Sequence, residues 1–160
     1  MTRKQTEIIA DDKVPTITII REFDAPRERV FRAWIDPEIY AQWVGPRSGT
    51  TTITKWTART GGEWAFSQAI DCADMPSFFG SFHEVRAPER LVWTFTWEGA
   101  PDGVTLETMT FVQLAGDRTR VMALCVVDSF EGRDQILKSG MDVGVIEGYE
   151  KLDELLVRMG

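Results

Sequence analysis

Apolar and polar positions first fall into a regular pattern at residue 14. In Val14-Pro15-Thr16-Ile17-Thr18-Ile19-Ile20-Arg21-Glu22-Phe23, Ile17 and Ile19 alternate with threonines, and a period of two predicts a half-buried strand. Residues 1–13 are polar and are expected to form a flexible N-terminal segment. The period then changes. Asp24-Ala25-Pro26 starts a helix, with proline at a position where its missing N–H is harmless, and Val30, Phe31, Trp34 and Ile35 follow with helical spacing. Asp36-Pro37 is a second cap-and-proline start, opening a short helix through Ile39, Tyr40 and Trp43 that Gly45-Pro46 ends. Strand-like segments come next at 50–57, 63–69, 77–85, 91–97, 104–114 and 119–127, separated by short turns rich in Gly, Pro and Asp. Short turns between consecutive strands predict antiparallel pairing. From Glu131 to Met159 the pattern is helical. Met141, Gly144, Val145, Gly148, Leu152, Leu155, Leu156 and Met159 share one face, with Lys151, Asp153, Glu154 and Arg158 on the other, so one long amphipathic helix is expected.

Strand, two helices, six strands and a long helix make an α+β domain. Its sheet of six to seven antiparallel strands must curve around the C-terminal helix. The 160 residues suit one such domain, over 14–160. Six tryptophans and nine phenylalanines can fill its core, line a cavity, or do both.

Charge narrows the partners. A net charge of -7 argues against nucleic acid and against an anionic membrane surface. No apolar run reaches the ~20 residues needed to span a bilayer, and Met1 to Glu7 has no signal-peptide character. Cys72 and Cys125 form no CxxC pair and read as reduced thiols, so a soluble cytoplasmic protein without metal or cofactor is expected.

The element order resembles the SRPBCC (START-like, Bet v 1-like) superfamily. Asp24-Ala25-Pro26, Val30-Phe31-Arg32-Ala33-Trp34, Asp36-Pro37, Trp43 and Gly45-Pro46 together look like the opening of the activator of Hsp90 ATPase homologue 1-like family. So do Gly61-Gly62-Glu63-Trp64-Ala65-Phe66, the run from Pro88 to Trp97, and Ser139 to Leu152. The resemblance implies a helix-grip fold with an apolar cavity between sheet and helix. In the eukaryotic co-chaperone a separate N-terminal domain helps stimulate the Hsp90 ATPase. Only residues 1–13 precede the first predicted strand here, so that domain is expected to be absent. The family therefore implies the fold more than the activity.

Strand parity puts Leu91, Trp93, Phe95 and Trp97 on one face, and likewise pairs Trp64 with Phe66 and Met109 with Phe111. Any one of these residues can simply fill a dry core. With the cavity that the resemblance implies, the expected ligand-binding set is Trp34, Trp43, Trp64, Phe66, Phe82, Trp93, Phe95, Met109, Met141, Val145, Gly148 and Tyr149. Gly140, Gly144 and Gly148 form a stripe on the last helix, where the sheet packs closely or ligand space is left. Glu84 shares parity with Phe82, and Glu107 with Met109. Either can point inward as a polar anchor or acid–base group, or sit in solvent beside an arginine.

His83, the only histidine, alternates away from Phe82 and is expected at the surface, which leaves too few ligands for zinc. Cys72, beside Asp71 and Asp74, is a poor nucleophile. The strand Val121-Met122-Ala123-Leu124-Cys125-Val126-Val127 is apolar on both faces, which points to a homodimer contact.

The leading expectation is a non-catalytic binder of a small hydrophobic molecule. One alternative is a co-chaperone or stress-response protein linked to Hsp90. Another is an enzyme like the superfamily's polyketide cyclases and aromatases, using Glu84 or Glu107.

Overall fold

Residues 5–160 are described in the structure, a computed structural model. Residues 1–4 of the N-terminal segment lie outside them. Two adjacent isoleucines make β1 (Glu7–Ala10) a strand, so the segment expected to be flexible is in part ordered. It pairs antiparallel with β2 (Thr16–Phe23), where Ile17, Ile19, Arg21 and Phe23 all face the core. α1 (Arg27–Ile35) begins with Pro26 at its cap. α2 (Pro37–Trp43) begins with Asp36, whose carboxylate accepts from the Glu38 N–H at 3.0 Å. Six strands follow: β3 (Gly49–Trp56), β4 (Glu63–Ile70), β5 (Ala73–Arg86), β6 (Arg90–Trp97), β7 (Thr105–Leu114) and β8 (Arg118–Val126).

All eight strands join one antiparallel sheet in the order β1-β2-β8-β7-β6-β5-β4-β3. The last strand therefore pairs with β2, which joins the strands before the two short helices to those after them. Register shifts at Ile53/Lys55, Phe66/Gln68 and Phe82/Glu84 bend the β3–β5 side of the sheet. An α+β domain with a large antiparallel sheet and four helices is consistent with a helix grip, with eight strands instead of six to seven.

The expected single C-terminal helix is two helices, α3 (Phe130–Lys138) and α4 (Met141–Met159). Gly140 breaks them with φ +88°, a left-handed backbone that glycine adopts without strain. Ser139 marks the end of α3, its hydroxyl donating to the Ile136 carbonyl at 2.6 Å. α3 is held by Arg133, which is buried and donates to the carbonyls of Asp11 and Thr16 at 2.8 and 3.0 Å.

Trp34 lies at the centre of the core. Its ring meets Trp43 at 4.6 Å, Phe111 at 5.3 Å, Tyr149 at 5.9 Å and Phe23 at 6.3 Å. One side chain thus ties α1 to α2, β7, α4 and β2, in the edge-on and tilted geometries that aromatic pairs favour.

Candidate functional site

The inner face of β4–β6 is aromatic because period-two strands place their rings on one side. Trp64 stacks on Phe66 at 5.4 Å, and Phe95 meets Trp64 at 5.1 Å and Phe78 at 5.3 Å. From α2, Tyr40 reaches Trp56 at 5.0 Å and both Phe66 and Trp93 at 5.8 Å. Of the expected binding set, Trp34, Trp43, Trp64, Phe66, Phe82, Trp93, Met109 and Tyr149 belong to one buried cluster. Phe95, Met141 and Val145 pack on its edge and are only half-buried, as are Phe78, Ile136 and Leu137. These residues face the core yet keep part of their surface.

Gly148 departs from the set. A Cβ there would point at the Trp43 carbonyl at 2.9 Å and the Gly45 N–H at 3.4 Å. Its missing side chain admits backbone, not ligand. The stripe splits into three roles, since Gly140 makes the helix break and Gly144 rests on the Pro46 ring.

The two acids part company. Glu84 does not face inward. The register shift between Phe82 and Glu84 breaks the parity that grouped them, and Glu84 pairs with Arg90 at 3.1 Å and Arg86 at 3.2 Å. Glu107 does face inward. The register sets it between Trp93 and Cys125, and the Trp93 indole N–H donates to its Oε1 at 2.8 Å. Burial raises the Glu107 pKa, while hydrogen bonds from Trp93, Cys125 and Thr105 pull it down. The Cys125 thiol is pushed up by burial and by Glu107, so it stays protonated and is no nucleophile. The Tyr40 and Tyr149 hydroxyls are likewise pushed up, chiefly by burial and also by Glu107.

Sequence reasoning missed Tyr40, Trp56 and Phe78 as members of this wall. Phe78 shares strand parity with Phe82, and Tyr40 lies one helical turn before Trp43, so both signals were present. Trp56 had no such signal. It is fixed by its indole N–H donating to the Ile35 carbonyl at 2.7 Å.

Trp97 keeps its expected face, opposite Phe78, but stands exposed at the end of β6. His83 is exposed, as expected, and so is Cys72, while Cys125 is buried; both cysteines are free. Among the described residues no three His, Cys, Asp or Glu side chains gather as a metal site would require. No helix among them is long and apolar enough to cross a membrane.

The outer face of the sheet carries two grooves. One, of about 320 Å³, lies over β4–β6 between Lys55, Phe79, Ser81, Thr94 and Val104. The other, of about 300 Å³, is formed by Thr18, Thr108, Thr110, Met122 and Leu124. Beside the second, Met122, Leu124 and Val126 are each about 40% exposed, so β8 is apolar outside as well as inside.

Solved structures that share this fold include the following three. A crystal structure of protein Ms6760 from Mycobacterium smegmatis matches with TM-score 0.85 and 24% identity, over 96% of this chain and 97% of that one. A solution structure of a protein from Arthrobacter aurescens matches with TM-score 0.85 and 27% identity, over 95% and 91%. CalU16 from Micromonospora echinospora shares the fold at TM-score 0.64 and 20% identity, over 97% of this chain and 76% of that one. Among curated proteins none matches the sequence. The sequence pattern of "Activator of Hsp90 ATPase homolog 1-like protein" matches residues 24–157, from the turn before α1 almost to the end of α4. With that match spanning the two helices, the aromatic sheet and the last helix, the chain belongs to the activator of Hsp90 ATPase homologue 1-like family.

Proposed function

We propose that this protein binds a small, largely hydrophobic molecule, without catalysis, where the interior opens between β4–β6 and the start of α4. The reading is carried by the half-buried inward residues Phe78, Phe95, Met141 and Val145. A core built for stability alone buries its aromatic and methionine side chains. Here they border a buried aromatic wall and keep surface, as the mouth of an apolar site does. Glu107 is the polar anchor. With Glu84 outside, the enzyme alternative retains one interior carboxyl.

Uptake of the neutral fluorophore N-phenyl-1-naphthylamine tests this. Emission is expected to rise and to saturate near one molecule per chain. Val145→Trp, which fills the mouth, is expected to weaken uptake at least about tenfold, the equivalent of ~1.4 kcal/mol, with the melting temperature little changed. No uptake by the wild-type protein would sink the reading.

The exposed outer face of β8 supports a second reading, a protein contact. It carries no charge at Met122, Leu124 or Val126, so two chains of net charge -7 can meet there without bringing like charges together. A second copy is the occupant. Sedimentation at micromolar concentration is expected to show a dimer that Leu124→Lys dissociates. A monomer at every concentration removes the copy-to-copy contact. An Hsp90 ATPase rate from the same organism that changes on adding the protein would favour a chaperone partner instead.

A further inference from the structure

The site's polar chemistry points to a class of ligand. We propose that the cleft selects hydrophobic molecules bearing a cationic nitrogen, which docks against the Glu107 carboxylate. The inference rests on the ligand-binding reading and deepens it.

Glu107 is an inward acid beside the aromatic wall, and its hydrogen-bond partners Trp93, Cys125 and Thr105 are all neutral donors. Among the described residues no lysine or arginine pairs with it. Arg21, the buried arginine of β2, is taken by Asp153 of α4. The titratable groups that face Glu107 from other elements are Cys125 on β8, Tyr40 on α2 and Tyr149 on α4. All three stay neutral at ordinary pH, because burial raises their pKa values. An inward carboxylate with no cation of its own is unfavourable, and a ligand cation supplies the missing partner.

One further feature favours that charge. The chain carries 25 acidic against 18 basic residues, a field that concentrates cations and repels anions. Glu107 also keeps part of its surface.

A proton completes the account. Burial raises the Glu107 pKa, so part of the population is protonated below that value. The cation binds the ionised form. Binding therefore strengthens as pH rises through the Glu107 pKa, and below it each molecule bound displaces a proton.

The test compares 2-naphthylmethylamine, cationic at neutral pH, with the neutral 2-naphthalenemethanol by calorimetry on the full chain. The amine is expected to bind at least about tenfold tighter, as a close charge pair allows. That preference is expected to fall away in Glu107→Gln, which keeps the shape and the acceptor for Trp93. Equal affinities in the wild type overturn the inference while leaving ligand binding intact. A preference that survives in Glu107→Gln also overturns it, by tracing the selection to overall charge. If neither naphthyl probe binds and N-phenyl-1-naphthylamine does not bind either, the ligand-binding reading and this inference fail together.

Discussion

Replacing Gly148 by leucine is expected to destabilise the protein by about 3 kcal/mol or more, the upper range of overpacking. For a chain of this length that lowers the melting temperature by roughly 10 °C. A Cβ at Gly148 would already stand 2.9 Å from the Trp43 carbonyl, and 3.4–3.5 Å from the backbone of Gly45. These neighbours are main chain and cannot swing aside. Trp43 is itself pinned, its indole N–H donating to the Ala33 carbonyl at 2.9 Å and its ring packed on Trp34. Alanine is expected to be milder, because its ~1 kcal/mol gain in helix propensity offsets part of the clash. Gly144, one turn earlier, supplies the contrast. Its Cβ would meet the Pro46 ring at 3.7 Å, an ordinary contact, so Gly144→Ala is expected to be neutral or stabilising by up to ~1 kcal/mol. Thermal denaturation of the three variants checks the series. An unchanged melting temperature for Gly148→Leu would mean there is free space at that point of α4, as a ligand-lining glycine requires.

The stripe also shows where sequence reading stops. Spacing of four put three glycines on one helix, but spacing cannot say what each one faces. Gly140 has a left-handed backbone and ends the helix that it was expected to continue. A helical period persists across such a break because the residues on both sides still bury one face. The strands were more legible. Alternation placed Trp64, Phe66, Phe82, Trp93 and Met109 inward, and all are buried. It failed at Glu84, since one bulge reverses every side chain beyond it. β1 was too short to show a period, and its pairing with β2 depends on a partner that the local pattern does not reveal. Glu107 was legible as one of two acids. Only the register of β6, β7 and β8 separates it from Glu84, by setting it between Trp93 and Cys125.

Removing Asp153 is expected to cost about 2–3 kcal/mol, at or just below the lower end of the roughly 3–5 kcal/mol for breaking a fully buried pair. The reason lies in β2, where Arg21 occupies a slot that alternation assigns to an apolar residue. It is 4% exposed, and its guanidinium pairs with Asp153 on α4. Its other contacts are slight for a charge so placed. Nη1 donates to the Glu22 carbonyl at 2.6 Å, the carbon of the guanidinium lies 5.0 Å from the centre of the Phe23 ring, and Nε has no hydrogen-bond partner. Asp153→Ala therefore takes away the anion and leaves the cation buried. Asp153 is itself 28% exposed, so water entering the gap recovers part of the loss. Arg21→Met in the same chain is expected to restore much of the stability, because a residue that wants no partner then fills the slot. Chemical denaturation of the single and double variants measures the difference. A single variant within 0.5 kcal/mol of the parent, the ordinary scatter of surface substitutions, would show that Arg21 does not depend on α4. The pair also bears on the site. It joins β2 to the same helix that carries Met141 and Val145 at the mouth, so loosening it is expected to change probe uptake without touching a ligand-facing residue. A melting temperature that falls while uptake stays constant would separate the clamp from the cleft. Both changing together would show that the grip of α4 on the sheet sets the width of the opening.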